Sequence, residues 1–149
     1  MLVEAQLTIQ ASNAAVWSAI TDVDRAADLI RGIEKVEIVS RPATGLVGLR
    51  WKETRILFGE PATVEKWITE AVEGESYTTR AESDGFVFST TLRLTEGPDG
   101  VTLISAHDSR PQGLASKLKA IPMELFFRGV IRKHILADLE DFKAAVEKG

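Results

Sequence analysis

From Leu2 to Gln10 the chain alternates. Val3, Ala5, Leu7 and Ile9 fall on one side, and Glu4, Gln6, Thr8 and Gln10 fall with Leu2 on the other. A period of two is that of a half-buried strand. Ser12 then stands where a helix N-cap would, ahead of AAVWSAITDV. Val16, Ala19, Ile20 and Val23 recur at helical spacing, and a second short helix is expected over Arg25 to Leu29, with Gly32 stopping it. From Ile33 the period returns to two. Strand-like runs follow at about 34–40, 46–57, 60–71, 75–83, 86–96 and 100–109, separated by turn residues such as Gly45, Gly59-Glu60-Pro61, Glu73-Gly74, Asp84-Gly85 and Pro98-Asp99-Gly100. Six runs joined this tightly predict an antiparallel meander. After Pro111-Gln112-Gly113, residues 114–148 read as one helix, with Pro122 a place for a kink.

This order is that of a single α+β domain over residues 1–149: a strand, two short helices, six strands and one long helix. Seven antiparallel strands of this length must curl, because strands twist. The concave face needs a cover, and only the C-terminal helix is long enough. Leu114, Leu118, Ile121, Leu125, Ile135, Leu136, Leu139, Phe142 and Val146 form its broad apolar face. Gly129 shares the face of Leu118, Leu125 and Leu136, where it either leaves room for a ligand or lets two backbones pack closely.

Composition narrows the function. Hydrophobic residues make up 44% and charged residues 27% of the 149, an ordinary globular balance with no long disordered tail. The formal net charge is −4 and no Lys/Arg stripe stands out, so neither a nucleic-acid partner nor a polybasic membrane anchor is expected. Without cysteine there is no disulfide or thiolate metal site. Glu4 interrupts the first apolar stretch and no basic segment precedes it, so no secretory signal is expected; no run reaches a membrane span, and cytoplasmic residence is the default. Nucleotide, flavin and zinc-hydrolase motifs are missing, and with two histidines no metal and no cofactor are expected. The state in solution is expected to be a monomer or a homodimer.

The segments ASNAAVWSAITDVDRAADL, VGLRWKETRILFGEPATVEKWITE and PQGLASKLKAIPMELFFRGVIRKHILADLEDFKAAVE resemble the helix-grip proteins of the SRPBCC (START/Bet v 1-like) superfamily. More narrowly, they resemble the bacterial polyketide cyclase/dehydrase and lipid transport group. The likeness covers nearly the whole chain in the same order. It implies a curved seven-stranded sheet gripping the long helix, with a deep pocket between them. Members of the superfamily bind lipids, sterols, plant hormones or polyketides, and a minority catalyse ring closure or dehydration.

Candidate site residues follow from register. Val47, Leu49, Trp51, Glu53 and Arg55 would share one strand face. On it, Glu53 is either a general base or ligand acceptor with its pKa raised by burial, or a partner in a structural ion pair. Arg132 and Arg128 project onto the apolar helix face, where either one meets Glu53 or a ligand oxygen, or its stem packs while the guanidinium reaches water. His107 continues the register of Val101, Leu103 and Ser105, to shuttle protons at the rim of a cavity or to sit in solvent, and His134 is expected to be exposed. Phe86, Phe88, Thr90, Leu92 and Leu94 point to one side, a greasy face with a polar step. Trp51 is the preferred pocket wall and Tyr77 a second aromatic near it, while Trp67 faces either the cavity or the outside. The expected ligand set is Leu49, Trp51, Glu53, Tyr77, Phe86, Phe88, Thr90, Leu103, Leu118, Leu125, Gly129 and Arg132, with Glu53, His107 and Arg132 as catalytic candidates.

Three functions compete at this point. One is a carrier of a small hydrophobic molecule. Another is a cyclase- or dehydratase-type enzyme. The third is a module whose groove takes an apolar peptide. Plentiful apolar lining and few convergent polar groups put the carrier first.

Overall fold

The computed structural model describes residues 1–57 and 59–148, with the backbone alone for residues 114–127. Strand β1 spans Leu2–Ile9, followed by helix α1 (Asn13–Thr21), a 3₁₀ turn at Val23–Arg25 and helix α2 (Ala26–Leu29). Six strands come next: β2 (Ile33–Ser40), β3 (Arg50–Leu57), β4 (Glu60–Val72), β5 (Ser76–Ser83), β6 (Phe86–Gly97) and β7 (Gly100–Pro111). Helix α3 (Leu114–Lys148) closes the chain and runs unbroken past Pro122. The seven strands form one antiparallel sheet in the order β1-β7-β6-β5-β4-β3-β2, so the meander predicted from Ile33 onward is present. Strand β1 joins the far side, against β7. The two short helices therefore carry the chain from one sheet edge to the other.

Local chemistry explains the turns. Ser12 caps α1, its side chain accepting a hydrogen bond from the Ala15 amide. Asp84 and Gly85 both take positive φ (51° and 79°), as a two-residue hairpin with the twist of its strands requires. One boundary differs from the expected run 46–57: β3 begins at Arg50. Gly45 and Gly48 turn with φ of 72° and 96°, and the Leu49 amide closes back on the Leu46 carbonyl, so residues 46–49 form a tight turn beside β4.

The core lies between the concave face and the C-terminal half of α3. Ile9, Leu103 and Ile68 are fully buried, as are Val16 of α1 and Leu139 of α3. Ile135, Phe142 and Val146 flank Leu139 on the face expected from their spacing. Polar ties fasten this half of the helix. Lys143 donates to the Thr8 carbonyl at 2.7 Å, Glu147 accepts from the Gln10 amide at 2.7 Å, and Arg31 pairs with Asp141 at 3.0 Å.

Nearer its middle the helix stands clear. Arg128, Gly129, Val130, Arg132, Lys133 and His134 are exposed, and a Cβ built on Gly129 would meet nothing within 4 Å. The inward placement expected of Gly129 and Arg132 is corrected accordingly, while His134 is exposed as anticipated. Helical phase fixes the direction of a side chain around the axis. It does not fix whether anything stands opposite at that height. The side chains of Leu118 and Leu125, both expected in the pocket, lie outside the described residues.

Candidate functional site

The β3–β7 ladders run in register through Trp51, Lys66, Ala81 and Phe88, with a shift in β4 beyond Ile68, so one face can be read across this part of the sheet. Trp51 of β3 stands opposite Lys66 of β4, Lys66 opposite Ala81 of β5, and Ala81 opposite Phe88 of β6. In the next row Thr79 stands opposite Thr90, and Thr90 opposite His107 of β7. Large side chains thus alternate with small ones. Ala81, Thr79 and Thr90 leave a recess that Lys66, Phe88 and His107 border. The recess is a cavity of about 180 Å³, lined by Val64, Lys66, Thr79, Arg80, Ala81, Phe88, Thr90 and His107.

His107 is the most constrained polar group in that lining. Its Nδ1 lies 2.8 Å from Thr90 Oγ1 and its Nε2 lies 3.4 Å from Ser109 Oγ, so both ring nitrogens have hydroxyl partners. Its ring stacks on Phe88, with centroids 6.0 Å apart and an interplanar angle of 20°; Phe88 in turn stacks on Phe86. Burial pushes the imidazole pKa down to about 4. The Lys66 ammonium and the N-terminal ammonium add to the effect, and Asp108 opposes it in part. At neutral pH the ring is uncharged and can donate from one nitrogen and accept at the other.

Beside the cavity a row of alternating charges runs back to α3. Lys66 Nζ lies 2.8 Å from Glu53 Oε2, and the same oxygen accepts from Arg55 Nε at 2.9 Å. Trp51 Nε1 reaches the other Glu53 oxygen at 3.4 Å. Arg55 turns its two terminal nitrogens onto Asp138 of α3, at 3.2 and 2.8 Å. Glu53 is only 7% exposed. Burial alone would raise its pKa, but Lys66 and Arg55 outweigh burial and hold it at about 2. The raised pKa expected for a general base is therefore corrected: Glu53 is a locked carboxylate and the hinge of an ion-pair row. Arg132, one expected partner for it, is exposed, and Arg55 and Lys66 take that place. Burial disfavours the Arg55 charge, yet its two carboxylates raise its pKa on balance.

The other expected residues divide between the lining and the core. Phe88 and Thr90 line the cavity. Leu49, Trp51, Tyr77 and Leu103 are buried in the core cluster, and Phe86 is buried behind Phe88. Tyr77 donates its hydroxyl to the Ile20 carbonyl and meets Trp17 edge-on at 6.1 Å, tying the sheet to α1. Burial raises its pKa. Trp67 faces outward, opposite Arg50 and Arg80, with the Arg50 guanidinium 4.3 Å above its ring.

Lys66, Thr79 and Ala81 escaped the sequence reading. A signal for Lys66 existed, since Val64, Lys66 and Ile68 share a strand face and a buried Glu53 demands a cation. Nothing comparable pointed to Asp138, which reaches Arg55 across a separation of 83 residues. Among the described residues no group of His, Asp and Glu is placed to hold a metal ion, and no helix is long and apolar enough to cross a membrane.

A curved antiparallel sheet gripping a long C-terminal helix, with a recess on its concave face, defines the helix-grip class of the START/Bet v 1-like superfamily. The chain belongs to the polyketide cyclase/dehydrase and lipid transport family, whose model matches residues 2–147. A comparison with curated proteins finds no match. Among solved structures, the di-domain aromatase/cyclase StfQ of the steffimycin biosynthetic pathway superposes with a TM-score of 0.83 at 12% identity. That match covers 99% of this chain and 51% of StfQ, so the chain spans about half of that protein. The aromatase/cyclase ZhuI from Streptomyces sp. R1128 gives 0.77 at 20% identity, over 99% of this chain and 94% of its own. Norcoclaurine synthase from Thalictrum flavum gives 0.75 at 15% identity, over 100% and 94%. At these identities the likeness is one of fold. The family to which the chain belongs is described by polyketide cyclisation, dehydration and lipid transport.

Proposed function

We propose that this protein binds a compact, largely apolar molecule bearing at least one oxygen, of the size of a small polyketide-like ring system, in the recess between β4 and β7. The observation that carries this reading is the lining itself. Val64, Ala81 and Phe88 supply apolar walls, and Lys66, Thr79, Thr90 and His107 supply a few convergent polar groups. Such a mixture is what small-molecule sites require. The volume of about 180 Å³ lies below the usual range for such sites, which favours fused rings over a long acyl chain. Native mass spectrometry of the purified protein tests the reading, together with thermal shifts against aromatic and acyl-chain panels. A co-purifying or stabilising ring compound is expected, and its loss in Thr90→Phe, which fills the recess, is the control. A response to acyl chains alone, unaffected by Thr90→Phe, refutes it.

One observation favours a catalytic reading as well: a neutral imidazole and an ammonium line the same cavity. His107 would take or return a proton while Lys66 polarises a carbonyl. Neither Glu53, held ionised by two cations, nor the exposed Arg132 suits that chemistry. Turnover of a poly-β-ketothioester surrogate that is lost in His107→Gln would support the enzyme. Binding of the surrogate without turnover would leave a carrier.

A further inference from the structure

The ion-pair row has two ends. At one end Asp138 sits on α3, and its charge is met by both terminal nitrogens of Arg55. Arg55 and Glu53 stand between, each touching two partners of opposite sign. At the other end Lys66 has one ion-pair partner among the described residues, a single Glu53 oxygen that it shares with Arg55. Lys66 is also the member that lines the cavity. Around it the described lining on the inward register is uncharged: Val64, Thr79, Ala81, Phe88, Thr90 and a neutral His107. The remaining charged residue of the lining, Arg80, is on the outward register and pairs with Glu82 at 2.7 Å. The row is balanced as a whole, yet it presents its positive end to the ligand. An ammonium has three donors, and Glu53 accepts from one.

Resting on the ligand-binding reading, we infer that the site selects acidic ligands, with Lys66 as the specificity-determining residue that receives an ionised carboxylate or acidic enol from the bound molecule. The ligand's negative charge extends the alternation by one member. The Glu53–Arg55–Asp138 arm keeps the ammonium from turning away, so little is lost in ordering it. Both the neutral imidazole and the Thr90 and Thr79 hydroxyls tolerate an anion nearby, whereas a ligand amine would meet Lys66 at close range, and the described lining holds no carboxylate to receive it.

The test compares 2-naphthoate with 2-naphthamide, which share a ring system and differ in charge. Binding is measured by isothermal titration calorimetry at pH 7.5 in wild type, Lys66→Arg and Lys66→Met. Wild type is expected to prefer naphthoate by about tenfold or more, the scale of a charge-assisted hydrogen bond away from bulk water. Lys66→Arg should keep the preference, and Lys66→Met should abolish it. A second readout does not depend on the variants folding equally well. In wild type, the His107 pKa followed by NMR should rise on binding naphthoate and stay put on binding naphthamide. Equal affinity for the two compounds in wild type overturns acid selectivity and leaves the apolar-ligand reading standing. No binding of either at millimolar concentration overturns both.

Discussion

Acidification should loosen this fold before its carboxylates begin to titrate, and His107 should be the cause. Its imidazole pKa falls from 6.5 to about 4 on folding, chiefly because burial disfavours the charge. The unfolded chain therefore binds a proton in the window from pH 6.5 to 4 that the folded chain does not. Stability is full above pH 6.5 and is lost as pH falls through that window. Between pH 7 and pH 5 the linkage comes to about 2 kcal/mol, rising to about 3 kcal/mol by pH 4. Urea unfolding, followed by tryptophan fluorescence at constant ionic strength, measures the difference directly. Glu53, held at about 2, starts to matter only below its ordinary value of 4.5, so the range from pH 7 to 5 separates the two groups. The other histidine, His134, is exposed. The variant His107→Gln keeps a hydrogen-bonding group beside Thr90 and cannot titrate. It should lose little stability over the same range. Equal pH dependence in wild type and variant would refute the assignment.

Other outcomes follow from the same packing. Glu53→Gln leaves two cations facing a neutral amide and should cost about 3 kcal/mol in denaturant unfolding. The pair Glu53→Met with Lys66→Met should recover part of that loss, since Arg55 keeps Asp138 and no ion is stranded; an undiminished cost would contradict the ion-pair account. Gly100 sits at φ 129°, and a Cβ there would collide with the Ile9 carbonyl oxygen of the neighbouring strand. Gly100→Ala should therefore destabilise by about 1–3 kcal/mol, whereas Gly45→Ala, with open space around it, should cost less. Leu139→Ala empties the only fully buried position described on α3 and should lower stability by about 2–5 kcal/mol, while Arg132→Met should stay within about 0.5 kcal/mol of wild type by the same assay.

Much of this molecule was legible from periodicity. The switch from period two to helical spacing and back located every strand and helix to within a few residues. Ser12, Asp84-Gly85 and Pro98-Asp99-Gly100 marked ends and turns whose chemistry is local. Alternation also decides which residues of one strand share a face, so Phe88 goes with Thr90, and His107 with Leu103 and Ser105; that Thr90 meets His107 follows from strand pairing. Local rules reach that far because a strand side is set by counting and a turn by its own φ angles. They do not reach the distance between elements. Arg132 has the right phase for the core and is exposed, while Arg55 finds a carboxylate 83 residues away. The tertiary structure alone decided that Glu53 is a locked anion and not a raised-pKa base, and that His107 is neutral. Burial and the sign of nearby charges set a titration, and both arise only when strands distant in sequence close around the same space.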